Sequence, residues 1–400
     1  MGESWDHSWS GIVGDDRAAP PGERLEPPGD SSHSSVVSGA CAPPAILRNV
    51  EPVSRRGPHL LAAWIALPLW LASAPASGAN PSESGYRVQR TFELGGDGGW
   101  DYLAVEPERH RLFVSRSTHV MVVDFESGKI VGDIPGTAGV HGIALAPELG
   151  RGFTSNGKAG TATIFDLASL AVIGTVKTGD DPDAILYDPS TKRVFTFNGR
   201  SADATAFDAA TGKVAGTLAL GGRPEFAVAD GAGRIFVDIQ NTAEVVALDA
   251  AKLEVLARWS TAPGETPSGL AYDAQHRRLF SGCRNGKLVV LDAASGRVLA
   301  ALPIGQGVDG VAFDPERALA FASNADGTLT VVREDGPANF TVLENATTEP
   351  GARTIALDPA THLLYLPTAK LEARREPKAG EPRPRPTTLP GSFKVLVVGR

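Results

Sequence analysis

Seven short segments, such as VHGIALAP from Val140 and PDAILYDP from Pro182, recur along the chain at intervals of 40 to 44 residues. The second residue of each segment is polar, and in order these residues are Asp101, His141, Asp183, Glu225, Ser268, Asp309 and Arg353. Four carboxylates and one imidazole can supply the oxygen ligands of Ca²⁺ or Mg²⁺, or a mixed site for Zn²⁺ or Mn²⁺. If a divalent cation is bound, its predicted ligands are Asp101, His141, Asp183, Glu225 and Asp309. Without a cation, repulsion among these carboxylates should raise some of their pKa values.

Asparagines form a second recurrent set, near the end of a later apolar run in five of the units. They are Asn156, Asn198, Asn241, Asn285 and Asn324. We expect them to join the first set in one polar funnel that binds a ligand. An alternative is that these groups only satisfy neighbouring backbone groups, because Asn suits the turn conformations that follow a strand.

The elements that position both sets are short strands. In residues 182–221, the apolar runs AILYD, VFTFN, ATAFD and VAGTLAL are separated by turns such as PSTKR and AATGK, which predicts four strands. A four-stranded sheet cannot bury both faces alone, whereas radial stacking of such sheets does so. Seven units therefore predict an all-β, seven-bladed β-propeller with four-stranded antiparallel blades. The last unit supplies only three strands, so we expect residues 86–94 to close blade seven.

The units resemble the YVTN-type propeller repeat of the YncE-like family, as in RVFTFNGRSADATAFDAATGKVAGTLALGG and LVVLDAASGRVLAALPIGQGVDGVAFDP. The resemblance covers roughly residues 86–400 and implies the propeller fold. It implies little about function, because one scaffold hosts binding modules, enzymes and structural proteins. Some YncE-like proteins are associated with nucleic-acid binding. The regular Gly-His and Trp-Asp pairs of WD40 repeats are missing.

The first 79 residues are not expected to belong to the propeller, which we place at residues 80–400. Residues 54–79 contain two arginines, an apolar run and a tail of small residues, the pattern of a secretory signal peptide with a cleavage site after Ala76 or Ala79. An uncleaved anchor is the alternative, and both general secretory and twin-arginine export remain open. Residues 1–53 are interpreted as a disordered leader or as the product of a misassigned start. We expect a periplasmic or secreted protein.

The net charge and the cysteine content limit the classes of partner and the redox chemistry that we expect of this protein. The formal charge is −8, and removal of residues 1–79, which carry five basic and eight acidic residues, leaves −5. An acidic chain of this kind argues against nonspecific nucleic-acid binding. After cleavage we expect a monomer with no stable membrane span. The mature chain would carry one thiol, Cys283, which we interpret as structural. If Cys283 were exposed beside Arg284, the pKa of its thiol would instead be lowered.

Two further features lie away from the predicted funnel or beside it. Aspartates recur before the third turn of five units, and we assign them to turn capping; they are Asp124, Asp166, Asp208, Asp249 and Asp292. Residues 369–392 of the last unit form an insertion rich in Pro and charge. We expect a surface loop on the funnel side, with a lid or docking arm as the alternative.

Two functions remain open. The first is an exported binding module whose carboxylate-rich funnel receives a small ligand or a protein partner. The second is a metal-dependent hydrolase of lactonase or esterase type, in which a cation polarises a carbonyl and a carboxylate activates water. No CxxCH, HExxH or Gly-x-Ser-x-Gly motif is present to support another enzyme class.

Overall fold

A computed structural model describes residues 85–372 and 387–400, and in it the chain forms seven four-stranded antiparallel sheets. The all-β, seven-bladed propeller predicted from the repeat is confirmed. The predicted leader (1–53), the signal peptide (54–79) and the central part of the blade-seven insertion lie outside the described residues.

The strands of the described ranges follow the repeat. The amino-terminal strand is β1 (Arg87–Glu93). Blades one to three consist of β2 (Leu103–Glu106), β3 (Arg111–Ser115), β4 (Val120–Asp124), β5 (Lys129–Ile134); β6 (Val140–Ala146), β7 (Arg151–Asn156), β8 (Thr161–Asp166), β9 (Val172–Lys177); and β10 (Pro182–Asp188), β11 (Arg193–Asn198), β12 (Asp203–Asp208), β13 (Val214–Ala219).

Blades four to seven complete the ring. They consist of β14 (Pro224–Ala229), β15 (Arg234–Ile239), β16 (Glu244–Asp249), β17 (Glu254–Ser260); β18 (Pro267–Asp273), β19 (Arg278–Cys283), β20 (Lys287–Asp292), β21 (Val298–Pro303); β22 (Val308–Asp314), β23 (Leu319–Asn324), β24 (Thr328–Gly336), β25 (Asn339–Thr347); and β26 (Ala356–Asp358), β27 (Leu363–Thr368), β28 (Lys394–Gly399). Short 3-10 helices occupy Pro107–Arg109, Pro147–Leu149 and Gln240–Thr242.

In each blade, the third residue of the second strand is aromatic and forms the centre of the blade's packing. These residues are Phe113, Phe153, Phe195, Phe236, Phe280, Phe321 and Tyr365, and all are buried. Large aromatic side chains contribute the most apolar area per residue to a core. The second and third strands are buried on both faces, because each blade lies between two neighbouring blades, whereas the fourth strand of blade three contains only exposed and half-buried residues.

Closure of the ring depends on β1. It pairs with β28, so that blade seven has the order β1-β28-β27-β26, as the repeat predicted. Its two ends contact different neighbours. Tyr86, which precedes the strand, packs edge-on against Phe321 of blade six with ring centroids 5.0 Å apart, whereas Phe92 lies against the turn at Gly128 of blade one. The strand thus connects three blades.

Turn aspartates stabilise the end of the propeller opposite the predicted funnel. Asp208 Oδ1 accepts hydrogen bonds from the backbone N of Thr211 at 2.7 Å and from its Oγ1 at 2.7 Å. The four equivalent carboxylates also accept backbone N–H groups two or three residues further on; they are Asp124, Asp166, Asp249 and Asp292. These bonds lower the pKa of Asp208 and support the capping interpretation.

The described ends of the blade-seven insertion pair with each other. The backbone N of Leu389 donates to the carbonyl of Lys370 at 2.8 Å, and Leu371 and Thr388 form an isolated antiparallel bridge. Within the described ranges, no helix is long and apolar enough to cross a membrane.

Candidate functional site

The seven polar residues predicted from the repeat lie at equivalent positions of the seven blades. Five of them are the second residues of β6, β10, β14, β18 and β22, namely His141, Asp183, Glu225, Ser268 and Asp309. Asp101 and Arg353 lie just before β2 and β26. We call these seven residues the polar ring. Ion pairs that cross from blade to blade, including two from Arg284, link all of them except Ser268.

One side of the polar ring is an imidazole between two carboxylates. His141 Nδ1 lies 2.7 Å from Asp101 Oδ2 and 3.7 Å from Asp183 Oδ1. Burial alone would lower the pKa of His141, but Asp183 and Asp101 outweigh burial and raise it to about 10. The imidazole is therefore cationic at neutral pH. Ligand atoms of these three residues all lie within 4.8 Å of one another, which a metal ion would require.

The other side of the polar ring is a carboxylate held by two arginines. Arg284 Nη2 lies 2.6 Å from Asp309 Oδ1, and Arg353 Nε lies 2.7 Å from Asp309 Oδ2. Burial raises the pKa of Asp309, but the two guanidinium groups outweigh burial and lower it. Asp309 is therefore an anion whose two oxygens are already paired. The five predicted metal ligands therefore do not form one cluster, because Asp309 pairs with arginines, whereas Asp101, His141 and Asp183 lie together on the other side of the polar ring.

Glu225 lies between these two sides and is incompletely satisfied. Its Oε1 is 3.4 Å from Arg284 Nη2, whereas its buried Oε2 has no hydrogen-bond partner among the described residues. Burial, followed by the negative charge of Asp183, raises the pKa of Glu225 well above its ordinary value. Burial also raises the pKa of Asp183 to about 6, although His141 acts in the opposite direction. Both of these carboxylates therefore hold a proton more tightly than an exposed carboxylate does.

Ser268 differs from the other members of the polar ring because its hydroxyl is used internally. The amide Nε2 of Gln240 donates to Ser268 Oγ at 3.0 Å, and Ser268 Oγ donates to the carbonyl of Thr266 at 3.1 Å. Ser268 is fully buried. These contacts give the residue a structural role in joining blades four and five.

The asparagines do not form one set. Asn156, Asn198 and Asn324 end equivalent second strands, are fully buried and donate to threonines of the third strand of the same blade; Asn198 Nδ2, for example, lies 3.0 Å from Thr205 Oγ1. Their Nδ2 groups are thus satisfied within the blade, whereas Oδ1 of Asn198 and Oδ1 of Asn324 are buried without a hydrogen-bond partner among the described residues, so a role of these three asparagines in ligand binding stays a prediction. Asn241 and Asn285 lie two residues beyond the ends of their second strands, which are Ile239 and Cys283.

Both displaced asparagines instead support loops. Asn241 Oδ1 accepts the backbone N of Arg223 at 2.7 Å, and Asn285 Nδ2 donates to the carbonyl of Pro263 at 3.0 Å. The connection between the second and third strands has four residues in blade four, as in blades two and three, so the strand-end position is held by Ile239 and Asn241 simply lies two residues beyond it. A short repeat of Asn residues was therefore a poor guide to equivalent positions.

Two residues of the site were missed at the level of sequence. Burial and then the carboxylates, with Asp183 and Glu225 first, raise the pKa of Tyr102 well above its ordinary value, which places this phenol among the acidic members of the polar ring. Arg284 follows the last residue of β19. The equivalent residues after β7, β11 and β23 are Gly157, Gly199 and Ala325. A long cation at a position where these three blades carry Gly or Ala was the available signal.

Cys283 is enclosed rather than exposed. It is buried, and burial followed by the charge of Asp238 raises the pKa of its thiol to about 12. Thiols with a raised pKa and no solvent contact are weak nucleophiles. The structural interpretation of this cysteine is supported.

No protein-family model and no curated protein matches this chain. Among solved structures, it is similar to the crystal structure of RRP9 WD40 repeats (TM-score 0.64, 13% identity, covering 80% of this chain and 99% of that one) and to U3-55K (TM-score 0.63, 13% identity, 79% and 99%). It is also similar to Kuenenia stuttgartiensis hydrazine synthase (TM-score 0.60, 15% identity, 67% and 92%). At these identities the similarity extends to the propeller fold alone, and one such scaffold hosts many unrelated functions.

Proposed function

We propose that this protein is a binding module whose polar ring receives a positively charged group, such as a primary ammonium, from a small ligand or a protein partner. The observation that carries the proposal is the buried Oε2 of Glu225, which has no hydrogen-bond partner among the described residues. An unsatisfied buried carboxylate costs free energy, and a cationic donor would remove that cost.

The neighbourhood of Glu225 supports a cation rather than an anion. The closest carboxylate contacts of Arg284 and Arg353 are with Asp309, while Asp183 and Glu225 carry raised pKa values that a nearby positive charge would lower again. An ammonium group also supplies three donors, which suits two adjacent carboxylates. An anionic ligand would meet repulsion from the same two residues.

The test uses two probes that differ in one charge, Nα-acetyl-lysine amide and Nα,Nε-diacetyl-lysine amide, in an NMR titration of the labelled propeller. We expect the charged probe alone to shift resonances of the polar ring, and we expect Glu225→Gln to abolish those shifts. Glu93→Gln, an exposed change in β1, is the matched control. Equal binding of both probes, or of neither, would overturn the proposal.

We further propose that the protein acts outside the cytoplasm, on the support of the signal-peptide pattern in residues 54–79. Cell fractionation with amino-terminal sequencing tests this directly. The expected mature protein begins at Ser77 or Asn80, and a cytoplasmic protein that retains these residues would contradict export.

Metal-dependent hydrolysis is the second candidate, and the close grouping of Asp101, His141 and Asp183 favours it. A cation bound there would have to displace the proton that these two carboxylates hold on His141, so binding would release a proton. Elemental analysis of the protein purified without chelator, beside Asp183→Ala, separates the two functions. One equivalent of metal that the variant loses would support hydrolysis and justify screening lactones and esters.

A further inference from the structure

A second cluster of ionisable residues lies at the opposite end of the blades from the polar ring, where blades five and six meet. It contains Asp273 at the end of β18, His276 in the following turn, and Glu334 near the end of β24. Ligand atoms of the three residues lie within 4.8 Å of one another. The cluster was not predicted from the sequence, because its members come from different positions of the repeat.

Glu334 occupies a position that is apolar in the preceding blades. At this position, the backbone N of each residue donates to the carbonyl of the residue that precedes the second strand of the same blade. The equivalent residues of blades one to five are Phe125, Leu167, Ala209, Ala250 and Ala293, and all are buried. The fold therefore requires only a small or apolar side chain here, so an ionisable side chain in blade six has to be explained by something other than packing.

The carboxylate of Glu334 is buried without adequate partners. The residue is 8% exposed, and neither oxygen of the ionised carboxylate has a hydrogen-bond partner among the described residues; a hydrogen bond with Asp273 requires a proton on one of the two carboxylates. The imidazole of His276 is its nearest polar neighbour of opposite type, with Nδ1 3.5 Å from Oε2. Burial, and then the charge of Asp273, raises the pKa of Glu334. A buried carboxylate in this state is costly unless a proton or a cation neutralises it.

The other two residues are preorganised around the same point. Asp273 Oδ2 lies 2.8 Å from His276 Nδ1, and the two oxygens of Asp273 also accept the backbone N–H groups of Gln275 and His276 at 2.9 and 3.1 Å. Zinc-to-ligand distances of about 2.0–2.2 Å place neighbouring ligand atoms roughly 3.3 Å apart in a tetrahedral site. The separations of 2.8 and 3.5 Å from Nδ1 are close to that value.

Arg278 is the neighbouring cation that could neutralise Glu334 instead, but both of its Nη groups are directed elsewhere, and its buried Nε has no hydrogen-bond partner among the described residues. Its Nη1 lies 3.1 Å from Asp292 Oδ2 and 2.7 Å from the carbonyl of His276, and its Nη2 lies 3.0 Å from the carbonyl of Pro337. The guanidinium thus fixes the turn that carries His276 and leaves the Glu334 oxygens without a donor.

We propose that Asp273, His276 and Glu334 bind a divalent transition-metal ion, with Zn²⁺ as the best match, and that the ion joins blades five and six. One imidazole and two carboxylates form a donor set that suits zinc. The carboxylates are buried, while the half-exposed His276 leaves a path for the ion and room for water as the fourth ligand. Binding displaces the proton from His276 Nδ1.

The test measures the thermal midpoint of the whole protein, first treated with chelator and then titrated with Zn²⁺, Mg²⁺ or Ca²⁺. The decisive variant is Glu334→Ala, because alanine is the residue that blades three to five carry at this position. Without metal we expect this variant to be at least as stable as the wild type. With Zn²⁺ at about a hundredfold excess over its Kd, we expect the wild type to gain about 5 °C and the variant to gain none.

A matched variant distinguishes this site from the polar ring. Asp183→Asn removes a candidate ligand from the ring and leaves the blade five–six cluster intact, so it should keep the zinc-dependent gain. The proposal is overturned if Zn²⁺ does not stabilise the wild type, if Glu334→Ala keeps the full gain, or if Mg²⁺ and Ca²⁺ act as strongly as Zn²⁺. If Asp183→Asn, but not Glu334→Ala, loses the zinc-dependent rise in thermal midpoint, the metal binds in the polar ring, and the proposal is likewise overturned.

Discussion

The closing strand β1 gives the most direct test of how the ring is held together, and Phe92 is its key side chain. Phe92 is 4% exposed and packs with Trp100 and Phe393 in the core that joins blade seven to blade one. A Cβ added to Gly128 would lie 2.4 Å from Phe92 Cδ1, so the aromatic ring is in tight contact with that turn. Truncation to alanine would leave a cavity at the seam itself.

The expected cost of Phe92→Ala follows from this burial. Truncating a fully buried Phe typically lowers the free energy of unfolding by about 3–5 kcal/mol, and Phe92 belongs in that range because both faces of its ring are enclosed. For a domain of this size, the thermal midpoint should fall by on the order of 5–10 °C. Deleting residues 86–94 should abolish cooperative unfolding, since all six residues of β28 are buried and would form an open edge.

Denaturant unfolding followed by circular dichroism measures both changes. Glu93→Ala is the matched control, because Glu93 adjoins Phe92 in β1 but is exposed, and its effect should stay within about 0.5 kcal/mol. The reasoning about the seam is refuted if Phe92→Ala is no more destabilising than Glu93→Ala, or if the truncated protein unfolds like the intact one.

Three further predictions concern buried polar groups. Burial raises the pKa of Asp238 well above its ordinary value, so the stability linked to its protonation is fully present below about pH 4. Above that pH, the free energy of unfolding of the wild type should fall relative to that of Asp238→Asn by about 1.4 kcal/mol per pH unit until the folded-state pKa is reached. Parallel pH profiles of the two proteins would contradict this. Arg284→Met should lower the free energy of unfolding in denaturant by about 3–5 kcal/mol, because it leaves Asp309 with one fewer cation. Adding Asp309→Asn to this variant should restore part of the lost free energy. An Arg284→Met variant as stable as the wild type would refute the role of the pair. In a Cys41→Ser background, Cys283 should react with a thiol reagent only after denaturation, whereas rapid labelling of the native protein would show it to be accessible.

Much of the fold follows from the sequence because each unit carries the same local instructions. Alternating apolar runs, turn aspartates such as Asp208 and a fixed spacing specify four strands, and seven copies specify the ring. The position of His141 or Asp183 on the first strand then follows from counting. The missing strand of the last unit even predicts which segment closes it, and β1 does so.

The contacts of the site could not be predicted in the same way. Arg284 extends from the end of a second strand to Asp309 on the first strand of the next blade, and no local pattern records how far a long side chain extends. The polar ring therefore looked like a set of carboxylates available to a metal, whereas Asp309 is paired with two arginines. Asn241 differs for another reason: the position that ends the second strand carries Ile239 in blade four, and Asn241 follows it by two residues without any change in the spacing of the strands.

The repeat itself separates residues that build the fold from residues that do something else. Every blade must solve the same packing problem, so a side chain that all units share, such as the aromatic residue at Phe280, is explained by packing. A residue that only one unit carries is not required by that problem. When it is also energetically costly, as the buried carboxylate of Glu334 is, its cost must be offset by something that the other units do not bind. Glu225 shares its position with carboxylates of three other units, and its buried Oε2 without a hydrogen-bond partner sets it apart from them. The two residues lie at opposite ends of the blades, one in the polar ring and one between blades five and six, which is why a cationic ligand and a metal ion are separate proposals with separate tests.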